Sequence, residues 1–72
     1  MKVKMSKYYV TGQGLPHEDG SFRARASYNW DEGNATKVSH IDFETPQATE
    51  QDAELHAIAQ MQVRVAAGLI RD

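Results

Sequence analysis

The C-terminal third of the sequence constrains the fold more than any other stretch, because Thr49 to Leu69 has the pattern of one long amphipathic helix. Apolar side chains recur there at every third or fourth position, which places them on one face of a helix. The stripe comprises Leu55, Ile58, Met61, Val65 and Leu69, widened by Ala59, Val63, Ala66 and Ile70. The rest of the chain must therefore supply a surface that covers this face.

Capping residues indicate where this helix begins and ends. Thr49 is a good N-cap, because its hydroxyl can accept a hydrogen bond from an unpaired backbone N–H of the first turn. Gly68 stands where a helix can unwind, since glycine adopts the left-handed backbone conformation that often follows the last turn. Thr45 followed by Pro46 is an alternative start, one turn earlier.

Length and composition bound the architecture. We expect residues 1–72 to form a single domain, and a chain of this size buries only about 60% of the surface that its unfolded form exposes. The sequence contains no cysteine, which excludes disulfides and thiolate metal sites. Stability must then come from apolar packing or from a partner subunit.

Charge and hydropathy indicate the compartment and the class of partner. The formal net charge of −2 argues against a general nucleic-acid binder, whose affinity comes mostly from neutralising phosphates. The basic start of the chain has no apolar run behind it that resembles a signal peptide, and no later stretch is apolar enough to span a membrane. We therefore expect a cytoplasmic protein.

Three stretches upstream of the helix have the composition of strands: Lys4 to Thr11, Ser21 to Trp30 and Thr36 to Glu44. The second is the clearest, because apolar and polar residues alternate strictly along it. Its apolar members are Phe22, Ala24, Ala26, Tyr28 and Trp30. The two alanines leave room for the helix to approach the sheet closely.

Two connections complete the predicted fold. The glycine-containing stretch from Gly12 to Gly20 is expected to be a loop, and residues 31–34 a short turn that closes a hairpin. The resulting order is β-β-β-α. The sequence therefore predicts an α+β fold, in which one C-terminal helix packs across one face of a three-stranded antiparallel sheet.

No pattern in the sequence predicts catalysis, a metal ion or a cofactor. The histidines His17, His40 and His56 lack the spacing of a metal site, and the glycines at 12 and 14 lack the spacing of a phosphate-binding loop. His40 and Asp42 share a strand face and could form an acid/base pair. A salt bridge is the preferred interpretation, because nothing nearby resembles a nucleophile or an oxyanion hole.

Two charged sets are candidate binding surfaces. One is an acidic set near the start of the helix, which contributes to helix capping and to solubility. It can also present a negative docking surface to a basic partner. Its members are Asp42, Glu44, Glu50, Asp52 and Glu54. The alternative is a basic strand face for phosphate or an acidic protein, formed by Arg23, Arg25 and Lys37.

The breadth of the helix stripe points to a further contact. One small sheet face cannot cover so wide an apolar arc, and Trp30 at a strand end is expected to be partly exposed. A homodimer formed through the C-terminal helix or a sheet edge is one way to bury both.

Two family resemblances bear on function. The sequence runs from Ser21–Ala26, through the turn, to Ile41–Thr45 and then to an acidic helix start. In layout, size and acidity, this course resembles some small phage-encoded anti-CRISPR proteins. The resemblance implies a phage or prophage inhibitor that binds a host protein complex, such as a CRISPR-Cas effector, without chemistry. The acidic set would then mimic nucleic acid or face a basic groove.

The second resemblance is to the double-stranded-RNA-binding domain. The resemblance lies in the stretch Gly14-Leu15-Pro16-His17 leading into Phe22 and in the β-β-β-α order. It implies RNA binding. The family's basic cluster at the start of the final helix is replaced here by Glu50, Asp52 and Glu54, which repel phosphate. Our prediction is therefore a non-enzymatic protein-interaction module, with a small nucleic-acid-binding module as the alternative and a His40–Asp42 hydrolase as a third class.

Overall fold

Four strands and one helix form two layers in a computed structural model of the protein, which describes residues 1–70. In chain order they are β1 (Lys2–Met5), β2 (Tyr8–Pro16), β3 (Phe22–Glu32), β4 (Ala35–Asp42) and α1 (Glu50–Ala66). Successive strands are antiparallel neighbours, so the sheet order is β1-β2-β3-β4. The predicted α+β class is confirmed, but the prediction of three strands is wrong.

The additional strand arises because the predicted first strand, Lys4 to Thr11, is divided by a two-residue turn. Met5 pairs directly with Tyr8, so the chain reverses at Ser6 and Lys7. Ser6 has a φ of 55°, in the left-handed region that non-glycine residues seldom occupy. Such a reversal usually contains glycine or asparagine. Their absence here is why the sequence pattern did not reveal β1 as a separate strand.

The predicted loop from Gly12 to Gly20 is wrong over its first half, because β2 continues to Pro16. Gly12 pairs with Ala26 of β3 and Gly14 pairs with Ala24, in regular antiparallel register. The connection between β2 and β3 is confined to residues 17–21, where the backbone N–H of Gly20 donates to the His17 carbonyl at 3.1 Å.

Gly12 and Gly14 lie where α1 passes directly over β2, which explains why these strand positions are glycine. A Cβ atom built on Gly12 would lie 2.6 Å from the backbone oxygen of Glu54, and one built on Gly14 would lie 2.7 Å from the backbone oxygen of Glu50. Both distances are shorter than any normal carbon–oxygen contact. Glycine at these two positions therefore lets the helix backbone rest on the strand backbone.

The predicted alternation of β3 is confirmed. Ala24 and Ala26 are buried beneath α1, and Tyr28 and Trp30 continue the same face. The Tyr28 and Trp30 rings stack with centroids 5.7 Å apart, and Tyr8 of β2 packs edge-on against both. Trp30 is only 5% exposed, so the expectation that it is partly exposed is wrong. The three rings fill the part of the core that lies beyond Ala24 and Ala26.

The ends of α1 follow the capping signals. The Asp52 backbone N–H donates to the Thr49 hydroxyl at 3.0 Å, which confirms Thr49 as the N-cap and excludes the earlier start. At the other end, Gly68 has a φ of 70° and its N–H donates to the Val65 carbonyl. The Leu69 N–H donates to the Arg64 carbonyl at 2.9 Å. These two bonds form a Schellman motif, which ends the helix before Leu69.

The face that α1 buries is only partly the predicted one. Ile58 and Met61 are buried as expected, whereas Leu55 is 46% exposed and Leu69 is 61% exposed. The closest side of the helix instead carries two fully buried alanines, Ala53 and Ala57. Because the strands beneath have glycine and alanine, Ala53 and Ala57 let the helix come close to the sheet, and Ile58 packs directly over Gly12. Leu55, Val63 and Leu69 lie away from this contact and are exposed.

Gly12→Ala tests the close approach of helix and strand. The added methyl group would meet the Glu54 carbonyl, so the helix must shift, and overpacking of this kind costs about 1–3 kcal/mol. Gln13→Ala is the control, because Gln13 is exposed and on the other face; it should change the free energy of unfolding by less than about 0.5 kcal/mol. Urea unfolding of both variants measures the difference, and equal stability would contradict the interpretation.

Thr49→Ala tests the N-cap. Loss of the hydroxyl leaves the Asp52 N–H without its acceptor and should lower the free energy of unfolding by about 1 kcal/mol. Thr45→Ala is the matched control, because Thr45 lies outside the helix and should have little effect. Thermal denaturation of the two variants compares them directly; a larger loss for Thr45→Ala would mean that the cap is misassigned.

Candidate functional site

The sheet has one face packed on α1 and one face without a covering element among residues 1–70. We call the second the open face. Strand register assigns to it the residues that alternate with the buried ones. They are Lys2, Lys4, Tyr9, Thr11, Gln13, Leu15, Arg23, Arg25, Ser27, Asn29, Asp31, Thr36, Val38, His40 and Asp42. Predicted site residues from both charged sets therefore share this face.

Arg25 and Asp42 form an ion pair across β3 and β4. They are direct register partners, with Arg25 Nε 2.6 Å from Asp42 Oδ1 and Nη2 3.4 Å from Oδ2. The hydrogen bond from Arg25 lowers the pKa of Asp42, and the same contact raises the pKa of Arg25. His40 Nε2 lies farther away, 3.8 Å from Asp42 Oδ2. Asp42 is thus engaged mainly by Arg25, and His40 contributes a long salt-bridge contact.

Arg23 is engaged with the loop that precedes its strand. Its Nη2 lies 3.5 Å from Asp19 Oδ2, and its Nη1 donates to the Ser21 hydroxyl. Asp19 Oδ1 also accepts from the Ser21 backbone N–H at 2.9 Å and from the Ser21 hydroxyl. The bonds from Ser21, more than the charge of Arg23, lower the pKa of Asp19 to about 2. Neither arginine of the predicted basic face is a free cation.

Lys37 does not join these arginines. It pairs with Trp30 in the β3–β4 register, which places it on the helix side of the sheet, whereas Arg25 pairs with Asp42 on the open face. The prediction that Arg23, Arg25 and Lys37 form one basic surface is therefore wrong. Strand periodicity causes the error: Lys37 and Asp42 are five residues apart, and an odd separation places them on opposite faces.

The acidic set lies around one end of the sheet, where β2 ends, β3 begins and β4 ends. We call this the acidic end. The backbones of Phe22 and Gln47 bond to each other at 2.8 and 2.9 Å, which brings the segment before α1 back to the start of β3. The first turn of α1 then lies over Gly14. Glu18, in the loop at the same end, joins the five predicted carboxylates.

Members of the acidic set differ in how far they are neutralised. Asp42 is paired with Arg25, and Glu54 Oε1 is 3.1 Å from the Met1 amino group. Glu44, Glu50 and Asp52 are exposed and have no ion pair within residues 1–70. These three side chains are the part of the set that remains available to a partner.

A cleft of about 180 Å³ opens at the acidic end, and its lining includes Leu15, His17, Phe43 and Glu44. Phe43 is half-buried; its ring meets the His56 ring edge-on at 5.5 Å, and the Arg64 guanidinium lies 5.6 Å from its centroid. His56 is therefore a boundary residue that packs on an aromatic ring. The cleft also contains the Arg25–Asp42 ion pair and Arg23, so its lining is largely polar, and Leu15 is an apolar side chain within it.

A larger pocket, of about 320 Å³, lies on the open face near β1. Its lining includes Lys2, Lys4, Tyr9 and Asn29. Tyr9 is 48% exposed, and Lys4 Nζ is 5.4 Å from the centroid of its ring. The sequence pattern does not reveal this group, because it does not separate β1 from β2. A turn at Ser6 and Lys7, once recognised, would have placed Lys4 opposite Tyr9.

The described residues, 1–70, contain neither a metal-binding cluster nor a membrane-spanning helix. In that part of the chain, no three side chains from histidine, aspartate and glutamate are grouped so that they could hold a metal ion. No helix there has both the length and the apolar character needed to cross a membrane.

Comparison with known proteins gives no relative: no protein-family model, no curated protein and no solved structure matches the chain.

Ser21→Ala should raise the pKa of Asp19 towards its ordinary value, and by more than Arg23→Gln does, because Ser21 makes the dominant hydrogen bonds. Because the pKa of Asp19 is lower in the folded protein than in the unfolded chain, ionisation of Asp19 stabilises the fold. The contribution of Asp19 is present above about pH 4 and is lost as the pH falls towards about 2, through its folded-state pKa. A carboxyl NMR titration measures the shift, and a larger effect of Arg23→Gln would contradict the assignment.

Proposed function

We propose that the protein is a non-enzymatic interaction module whose acidic end docks on a basic surface of a partner protein. One observation carries this proposal. The fold brings Glu44, Glu50 and Asp52 to one end of the molecule without ion-pair partners in residues 1–70, while Arg23 and Arg25 at that end are already paired. Arg64, whose guanidinium lies against the Phe43 ring, offsets one of these three negative charges. The end therefore has a net negative charge that a cationic surface would complement.

The acidic end can attract a basic partner from a distance and can also contact it directly. Exposed charge of one sign attracts an opposite surface over about 8–10 Å at physiological salt, which raises the rate of association. Durable binding also needs buried apolar anchors. Leu15, half-buried in the neighbouring cleft, is the apolar side chain that would provide such an anchor.

The narrower proposal is a phage or prophage inhibitor of a host complex such as a CRISPR-Cas effector, acting in the host cytoplasm. It rests on the resemblance in layout, size and acidity to small anti-CRISPR proteins. Effector complexes hold nucleic acid in positively charged channels. A rigid acidic end is the kind of surface that would compete for such a channel, and the inhibition would be stoichiometric.

The alternative, a nucleic-acid-binding module that uses Arg23 and Arg25, has less support. A phosphate would have to displace Asp19 from Arg23 and Asp42 from Arg25. Glu44, exposed at the same end, would repel it. Geometry therefore favours a basic protein surface over phosphate as the partner of the acidic end.

The decisive experiment adds the purified protein to reconstituted CRISPR effectors and measures target-DNA binding. We expect a loss of DNA binding that is complete near one equivalent of inhibitor. Glu44→Lys/Asp52→Lys should weaken the inhibition at least tenfold, because both free carboxylates become repulsive. Unchanged DNA binding across the effector classes would contradict the narrower proposal.

A matched control separates the site from net charge. Asp31→Lys/Glu32→Lys makes the same change in charge at the opposite end of the sheet and should leave inhibition within about twofold, since distant exposed charges are screened by salt. Thermal denaturation must show that both variants fold, because Asp52 also stabilises the first turn of α1. Equal loss in the two variants would contradict docking through the acidic end.

A further inference from the structure

The pocket on the open face has the groups that a nucleotide requires. We propose that Tyr9 stacks on the base while Lys2 and Lys4 hold the phosphate. The ligand is a nucleotide, either free or within a single strand of nucleic acid. This site lies on β1 and β2 and shares no residue with the acidic end, so it stands independently of the proposed function.

Tyr9 supplies the stacking surface. Its ring is 48% exposed on a sheet face that nothing covers within residues 1–70, although neighbouring Tyr8 and Val10 are buried. Exposed aromatic rings on open antiparallel sheets are the usual platforms on which proteins stack unpaired bases. Lys4 now lies against this ring, and a weak exposed cation–π contact of that kind is readily exchanged for a base.

Lys2 and Lys4 supply the positive charge. They are two residues apart on β1, so both point to the open face with Cα atoms about 7 Å apart. Neither forms an ion pair within residues 1–70, in contrast to Arg23 and Arg25 on the same face. A phosphate group between the two ammonium groups would satisfy both.

Asn29 and Thr11 complete the pocket with neutral polar groups. Asn29 is the register partner of Tyr9, and Thr11 is that of Lys2, so both flank the stacking position. A side-chain amide can donate to and accept from a base edge. The depression has a volume of about 320 Å³ and is open to solvent, so a base stacked on Tyr9 would stay partly exposed.

The negative net charge does not oppose this site, because the fold separates the charges. Glu50 and Glu54 lie on the helix side, above Gly14 and Gly12, whereas Lys2 and Lys4 lie on the opposite side of the sheet. An approaching phosphate therefore meets the lysines first. The net charge of −2 sums the charges on both sides of the sheet and does not show that they are separated.

The test uses fluorescence anisotropy with a 5′-labelled eight-nucleotide oligouridine and unlabelled uridine 5′-monophosphate as competitor. Tyr9→Ala should weaken binding about tenfold or more, and Tyr9→Phe should retain it, because the ring face rather than the hydroxyl does the stacking. One neutralised phosphate predicts that log K falls with log salt with a slope of about −0.7. Lys2→Gln/Lys4→Gln should bring that slope close to zero.

Lys37→Gln is the matched control, since it removes a lysine from the other side of the sheet and should leave affinity unchanged. Competition by the mononucleotide would identify a free nucleotide as the ligand, and binding of the oligonucleotide alone would identify a single strand; either supports the site. The proposal is overturned if neither probe binds below about 1 mM. It is equally overturned if the Tyr9 and Lys2/Lys4 variants bind like the unaltered protein.

Discussion

The rest of the structure depends on the contact between the backbone of α1 and the backbone of β2. Gly12 and Gly14 have no side chain, and Ala24 and Ala26 on β3 have the smallest one, so the helix settles onto the sheet with little between them. Dispersion attraction between the closely packed atoms then stabilises the contact. The three aromatic rings then occupy the remaining volume at one end.

Sequence pattern predicted those features that depend on local chemistry. The alternation of β3, the Thr49 cap and the termination at Gly68 each rest on a few neighbouring residues, and each is confirmed. Features that depend on distant contacts were not predictable in the same way. Glycine in β2 resembled loop residues because its reason for being there, α1, lies about 40 residues further along the chain. The turn at Ser6 had no compositional signal at all.

Candidate sites were harder to predict than elements, because a site depends on which charges end up paired. The sequence contains the basic and acidic residues but not the partners that neutralise them. Register joins Arg25 to Asp42, and a loop joins Arg23 to Asp19, so two apparent sites for anions are occupied within the chain. On the open face, Lys2 and Lys4 of the short strand β1 have no ion pair within residues 1–70. One small sheet thereby separates an acidic end from a cationic pocket.

The position of β4 has a consequence for the dynamics of the native state. This strand joins the sheet through β3 alone among residues 1–70, and nearly all of its side chains are exposed, including Val38. Detaching it would expose little apolar area, so local opening requires much less free energy than global unfolding. The strand should exchange its amide hydrogens while β2, β3 and α1 remain intact. The edge position of β4 therefore favours its opening ahead of the strands that pack under α1.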